Sequence, residues 1–107
     1  FLNSEVEANL WRIAKHEFIY PKENRLAAEV ALATKDLLGM LKVLESHMQD
    51  REFLVSGKVS VADFVAAYLL DWANEAVGLG DLPHLSSFLI RMYERPNAPV
   101  RISAATV

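Results

Sequence analysis

The sequence contains no cysteine, and only four glycines and four prolines occur among its 107 residues. The lack of cysteine excludes disulfide bonds, cysteine-based zinc sites and a thiol nucleophile within this chain. It also favours a reducing, cytoplasmic compartment. The scarcity of glycine and proline leaves long intervals without helix breakers, and these intervals are long enough for continuous helices.

The chain also has no long hydrophobic run and no excess of basic residues. The longest apolar stretches, 26–33 and 59–70, each contain an acidic residue and are shorter than the roughly 20 residues of a bilayer-spanning helix. Eleven Lys and Arg against fourteen Asp and Glu give a net charge of -3, so no broad basic field attracts polyanions. The sequence therefore predicts neither a nucleic-acid partner nor a membrane partner.

The overall composition is that of a globular protein, with 52% hydrophobic and 23% charged residues. A chain of this length buries about two thirds of its unfolded surface and needs no metal or disulfide to fold. We therefore expect a single domain over residues 1–107. Because the first residue is Phe and no signal peptide opens the chain, we expect it to be a piece of a longer protein.

Apolar residues recur at helical spacing along most of the chain. The pattern predicts helices over about 5–19 and 24–49, two more helices after residue 60, and a short fifth helix capped by Asn97. The predicted fold class is an all-α bundle of about five helices. The apolar stripes of the first, third and fourth helices comprise, respectively, Val6, Leu10, Ile13 and Ala14; Val61, Phe64, Val65, Tyr68, Leu69 and Trp72; and Leu85, Phe88, Leu89 and Met92.

Two predicted helix starts carry a Ser followed three residues later by an acid. Ser4 and Glu7 resemble a capping box for the first helix, which Pro21 would end. Ser60 and Asp63 predict a capping box at the third helix, and Val59 and Phe64 occupy the positions of a hydrophobic staple. A catalytic Asp63 is the competing interpretation, but an acid at this spacing is typical of a cap.

The segments 53–57 (FLVSG) and 60–63 (SVAD) together resemble the helix-start signature of glutathione transferase C-terminal domains. Three further pieces agree with that family in order and spacing: a Leu-Glu pair at 44–45, Leu-Pro-x-Leu at 82–85 and Arg-Pro at 95–96. The resemblance covers nearly the whole chain.

This resemblance implies that two domains of the complete protein have different roles. In the family, a thioredoxin-like domain, absent from these 107 residues, binds glutathione and supplies the catalytic Ser, Tyr or Cys. The helical half lines the pocket for a small hydrophobic electrophile, and its first two helices commonly build a homodimer interface. The resemblance therefore implies no catalytic residue and no cofactor in this chain, which alone would be inactive, with glutathione as a co-substrate of the complete enzyme.

A polar strip on the first helix offers candidate binding residues. Glu5, Asn9, Arg12 and His16 follow one another at steps of four, three and four, so they share one face. In the bacterial beta class of the family, an Asn and a His seven residues apart on this helix lie near the glutathione and electrophile sites. The resemblance implies that role for Asn9 and His16. A solvated helix face is the alternative.

Trp11, Phe18 and Trp72 are candidates for the wall of an apolar substrate pocket, although aromatic residues at helical spacing also occur in cores. Metal binding is not predicted. His16 and Glu17 have no second His at position 20, which excludes the two-histidine helical zinc motif. His47 and His84 are expected to be solvated residues.

Three hypotheses about function remain open from the sequence. The leading one is a cytoplasmic, detoxifying glutathione transferase that conjugates glutathione to small hydrophobic electrophiles. The alternative is a non-catalytic interaction module, because similar domains occur in translation elongation factor 1 gamma and in aminoacyl-tRNA synthetase complexes. The third is an unrelated helical ligand-binding bundle. The sequence leaves the electrophile and the catalytic nucleophile open.

Overall fold

A computed structural model describes residues 2–55 and 57–105, and in this part of the chain all regular structure is helical. Helix α1 covers residues 2–19, with an α-helical centre, Ala8–Ala14, between π-helical turns at Leu2–Glu7 and Lys15–Ile19. The remaining helices are α2, Ala27–His47; α3, Val61–Ala76; α4, Pro83–Tyr93; and α5, Ile102–Ala105. The predicted all-α bundle of about five helices is confirmed. None of the helices described is long and apolar enough to cross a bilayer.

The ends of α1 differ in how well the sequence predicts them. The helix already begins at Leu2, so Ser4 lies inside it and the capping box predicted for Ser4 and Glu7 is wrong. The other end follows the prediction, because Tyr20 is extended before Pro21, as steric contact with a following proline favours. The side chain of Arg25 donates to the carbonyl oxygens of Tyr20 and Phe18, at 2.7 and 3.1 Å.

The core lies between four packed helices. Helix α1 packs on α2 and α3 packs on α4, while α1 also contacts α3 and α2 contacts α4. The predicted stripes of α1 and α4 are buried, apart from Ala14, which is half-buried. The buried apolar side chains of α1, α2 and α4 are Val6, Leu10, Ile13, Ala33, Leu37, Leu41, Leu44, Leu85, Phe88, Leu89 and Met92.

Helix α3 buries only part of the apolar stripe that its sequence predicts, because Leu69 is buried and Trp72 is half-buried while the rest is exposed. Phe64 is 54% exposed and Tyr68 is 53% exposed, and the two valines of the predicted stripe are also exposed. The buried residues of this helix are Asp63, Ala66, Ala67, Leu69, Leu70, Asp71 and Ala73. Alanine side chains allow close packing of α3, two leucines supply its large buried side chains, and both buried aspartates have hydrogen-bond partners.

The start of α3 contains the capping box that the sequence predicts. The backbone N–H and the hydroxyl of Ser60 donate to Oδ2 of Asp63, at 2.8 and 3.1 Å. Oδ1 of Asp63 accepts the backbone N–H of Leu54, at 2.9 Å. The carboxylate is fully buried and thus joins the preceding loop to the helix. Val59 packs against the core while Phe64 is exposed, and their staple stays a prediction; Ser56 lies outside the described residues.

The start of α4 is capped by a residue that is distant in the chain, and a residue with an unusual backbone conformation follows its end. The backbone N–H groups of His84 and Leu85 donate to the two carboxylate oxygens of Glu45, each at 2.9 Å, so α2 caps the start of α4. After α4, Asn97 adopts a left-handed conformation with a φ of 65°. The fifth helix begins only at Ile102, so the predicted cap at Asn97 is wrong.

Candidate functional site

Three aromatic side chains form a partly exposed wall where α1 meets α3. The rings of Trp11 and Trp72 meet edge to face, with centroids 5.0 Å apart. Tyr68 lies one turn before Trp72, and those two centroids are 6.3 Å apart. Trp11 is 44% exposed and Trp72 is half-buried. We call Trp11, Tyr68 and Trp72 the aromatic wall.

The structure thus brings together two of the three predicted pocket aromatics and leaves the third apart. Phe18 is 73% exposed and lies seven residues after Trp11, which corresponds to about 10 Å along the helix axis. Its neighbour Ile19 is also exposed. The end of α1 therefore carries a separate apolar surface.

Two residues of the polar strip of α1, Arg12 and His16, contact α2 or its N-cap, whereas Glu5 is exposed. Arg12 forms ion pairs with Glu29 and with Asp36, the latter at 2.8 Å. Hydrogen bonds to Asp36 and Glu29 raise the pKa of Arg12, so its guanidinium remains charged. These contacts connect the two helices by a polar seam beside their apolar contact.

Asn9 belongs to this seam. It is 7% exposed, whereas the side chain of Arg12 is 34% exposed. Its amide nitrogen donates to the carbonyl oxygen of Glu5, at 2.6 Å, and its amide oxygen accepts from Arg12, at 2.8 Å. The carboxamide therefore has two intramolecular partners, and its role near glutathione stays a prediction.

His16 makes the next contact along the seam. Its Nδ1 accepts the backbone N–H of Leu26, at 3.0 Å, and Leu26 is the N-cap residue immediately before α2. The ring also meets Tyr20 edge to face, with centroids 4.9 Å apart. His16 therefore helps to fix the start of α2, and its role at a substrate likewise stays a prediction.

Sequence reasoning missed Tyr68 as a member of this site. Phe64, Tyr68 and Trp72 follow one another at steps of four on α3, a spacing that places three aromatic rings along one helix face. That regularity is itself a signal. This spacing is ambiguous, since it also occurs in buried stripes. The burial of the alanine face of α3 shows that the aromatic face lies outward.

Two grooves border the exposed side of α3. The larger one, of about 720 Å³, is lined by the start of α1, the end of α2 and the start of α3, with Leu2, Val43, His47, Leu54 and Val65 among its walls. The smaller one, of about 330 Å³, lies between α3 and the segment that follows α4. Tyr68 belongs both to this smaller groove and to the aromatic wall.

The remaining histidines have partners within the protein. Nε2 of His47 lies 2.8 Å from the carbonyl oxygen of Leu54, and Nε2 of His84 lies 4.0 Å from Glu45. Across residues 2–55 and 57–105, no group of three His, Asp or Glu side chains is placed to hold a metal ion. These histidines help to hold loops in place.

The model of the glutathione S-transferase C-terminal domain family matches residues 10–96. This match includes the aromatic wall, the capping box of α3 and the Arg-Pro pair after α4. No curated protein and no solved structure gave a match. Because the family model covers most of the chain, the protein belongs to the family of glutathione S-transferase C-terminal domains.

Proposed function

We propose that this domain is the electrophile-binding half of a catalytic, cytoplasmic glutathione transferase that acts in detoxification. The observation that carries the proposal is the aromatic wall. Three adjoining and partly exposed rings at the junction of α1 and α3 indicate a contact surface. Flat, hydrophobic electrophiles fit such a wall because aromatic rings stack or meet edge to face.

The proposed reaction is nucleophilic attack by the glutathione thiolate on the bound electrophile. A thioredoxin-like domain would bind glutathione and stabilise its thiolate, and the helical domain would hold the electrophile within reach. We assign no catalytic residue and no cofactor to this chain. Its contribution is orientation and the exclusion of water from one side of the electrophile.

His16 is proposed to border the glutathione side of this site, together with Asn9. Because Nδ1 of His16 accepts the N–H of Leu26, the neutral imidazole carries its proton on Nε2. The second nitrogen can therefore donate a hydrogen bond to a carboxylate or to the thiolate. The contact with α2 would fix the ring in the orientation that this donation needs.

We also propose that α1 and α2 form a homodimer interface. Three aliphatic side chains of α2 and the one at its N-cap are exposed, and a pair of α2 helices related by a twofold axis would bury those that face the partner. The exposed side chains of α2 and its N-cap are Leu26, Leu32, Leu38 and Val43.

The aromatic wall can be tested by kinetics of the complete polypeptide that carries this domain. We expect Trp72→Ala and Tyr68→Ala each to raise KM for an aryl halide acceptor about tenfold, the effect of losing about 1.4 kcal/mol of aromatic contact. KM for glutathione should change little. Phe18→Ala, which removes an exposed ring outside the wall, is the matched control and should leave both KM values unchanged.

Two results would count against the proposal in different ways. Equal changes of KM for both substrates would show that the wall does not bind the acceptor. Failure of the complete polypeptide to bind glutathione at all would favour the alternative of a non-catalytic interaction module.

A further inference from the structure

A third groove, of about 370 Å³, lies between α4 and the segment that follows α2. Residues 48–52 of that segment, which we call the charged turn, form one wall. The other wall consists of His84, Ser87 and Arg91, which follow one another at steps of three and four and so share one face of α4. The groove contains no residue of the aromatic wall and none of the exposed aliphatic residues of α2. It is therefore separate from the proposed acceptor site and from the proposed α1–α2 interface.

The charged side chains of this groove carry both signs. Asp50, Arg51 and Glu52 follow one another in the charged turn, and Arg91 belongs to the opposite wall. None of these four forms an ion pair with any residue in the described part of the chain. The nearby carboxylate of Glu45 is already bound to the start of α4. Because the two positive and two negative charges cancel, the groove attracts neither a simple anion nor a simple cation, but it matches a surface that carries the same charges.

The guanidinium of Arg91 is oriented by its own chain and still has unused donors. One of its N–H groups donates to the carbonyl oxygen of Glu52, at 2.9 Å, which holds the side chain against the charged turn. Its Nε is buried and has no hydrogen-bond partner among the residues that the structure describes. A guanidinium has five N–H donors and pairs with a carboxylate through two parallel hydrogen bonds. Arg91 can therefore bind a carboxylate from outside the chain without losing its fixed position.

Apolar side chains adjoin these charges. Met48 lines the groove and is 2% exposed, so it belongs to the floor. Ile90 is 52% exposed and lies three residues after Ser87, which places it beside the face of α4 that lines the groove. Protein interfaces typically combine apolar contact with a polar rim. This combination favours a protein surface as the occupant.

From this arrangement we propose that the groove is an interface with a second copy of the chain. In a twofold arrangement the same patch meets itself, so every contact between two different residues occurs twice. Arg51 and Arg91 of one copy lie against Asp50 and Glu52 of the other, and each unpaired charge gains a partner of opposite sign. This contact depends on neither glutathione nor catalysis. A protein that uses both this interface and the α1–α2 face forms a tetramer.

Charge reversal tests this interface, because it makes each copy repel its partner. One variant is Arg51→Glu, and the other combines Asp50→Arg with Glu52→Arg; all three side chains are exposed. Sedimentation velocity of the complete polypeptide, at about 0.1 M salt so that charges are only partly screened, measures the mass of the assembly. We expect each variant to associate at least about tenfold more weakly than the wild type. Lys22→Glu, which reverses an exposed cation outside the groove, is the matched control and should leave the mass unchanged.

Mixing the two variants is the sharper test. The groove of one is acidic and that of the other is basic, so the equimolar mixture should regain the wild-type mass that neither variant reaches alone. Circular dichroism melts check that each variant is folded, and Arg51→Gln, which removes the charge without reversing it, should weaken association less than Arg51→Glu. An unchanged mass in both charge-reversed variants, or a mixture no heavier than its components, would overturn the proposal. So would association that Leu32→Asp on α2 abolishes and that charge reversal in the groove leaves unchanged.

Discussion

Helices α3 and α4 lie side by side and have similar apolar spacing in the sequence, but they differ in whether those apolar residues are buried. Helix α4 buries all four large residues of its stripe. Helix α3 turns Phe64 and Tyr68 outward and buries three alanines, two leucines and two aspartates instead. An apolar stripe therefore corresponds to a core face in α4 and to a largely exposed face in α3.

The inner face of α3 combines hydrophobic burial with the hydrogen bonds of two buried aspartates, whereas the buried face of α4 is entirely apolar. Asp63 and Asp71 are eight residues apart, so they lie on the same side of the helix. The first binds the loop before the helix, and the second binds the segment after α4. Each carboxylate fixes a non-helical segment that has few buried apolar residues of its own. The aromatic rings of Phe64 and Tyr68 lie on the exposed side of the helix.

The largest expected loss of stability tests this difference between α3 and α4 directly. We expect Phe88→Ala in α4 to lower the free energy of unfolding by about 3–5 kcal/mol, because it removes a fully buried ring and leaves a cavity. Phe64→Ala in α3 should lower it by less than about 1 kcal/mol, because the ring is half exposed. Urea unfolding with equal m values measures both. Similar losses for the two variants would show that the rings are not used differently.

The sequence predicts the core stripes of α4 and α1 well because the apolar residues of these stripes are the ones that the structure buries, apart from the half-buried Ala14. It predicts the buried face of α3 only in part: Leu69 is buried, but the other aliphatic and aromatic residues of the stripe are exposed or half-buried, because a stripe drawn through large apolar residues passes over small and charged residues that are buried. The alanines that lie inward are small, and the aspartates beside them are charged. Neither type indicates burial unless its packing neighbours or hydrogen-bond partners are known.

Contacts between distant residues set the second limit on prediction. The capping box of α3 joins residues three apart, and the sequence predicts it. The carboxylate of Glu45 accepts hydrogen bonds from backbone N–H groups 39 and 40 residues later, at the start of α4. The carboxylate of Asp71 accepts one from Arg101, 30 residues later. The same holds for the site: Trp11 and Trp72 are predicted candidates, but their contact with each other depends on the packing of α1 against α3.

The next largest loss of stability concerns the ion pair between Asp71, which is buried on the inner face of α3, and the partly exposed Arg101. Arg101→Ala should lower the free energy of unfolding by about 3 kcal/mol, because it leaves the buried carboxylate of Asp71 with one donor fewer and no countercharge. Arg95→Ala, an exposed arginine in the same segment, is the control and should change it by less than about 0.5 kcal/mol. Denaturant unfolding at neutral pH compares the two. A loss confined to the Arg95 variant would contradict the role of Asp71.

A smaller effect is expected at the start of α3. Asp63→Ala should cost about 2 kcal/mol, because the N–H groups of Leu54 and Ser60 both lose their acceptor inside the protein. Ser60→Ala should cost about 1 kcal/mol, the usual loss for a single N-cap side chain. The order of the two variants is the informative result. A larger loss for Ser60 would mean that the cap alone, and not the connection to the loop, stabilises this region.

The smallest expected effect is on the pH dependence of stability. It concerns Tyr93 at the end of α4, whose pKa is influenced by Asp71 of α3 and by Arg101. Burial, followed by the negative charge of Asp71, raises the pKa of Tyr93 above its ordinary value, and the charge of Arg101 opposes this only in part. In the unfolded chain the phenol ionises near about pH 10, so above that pH the folded state binds more protons than the unfolded state. The free energy of unfolding therefore falls as pH rises through this window. Tyr93→Phe cannot ionise, and its stability should fall less steeply between about pH 8 and about pH 11. Urea unfolding of both proteins across that range measures the difference in slope, and parallel curves would show that the phenol at the end of α4 does not sense the carboxylate of α3.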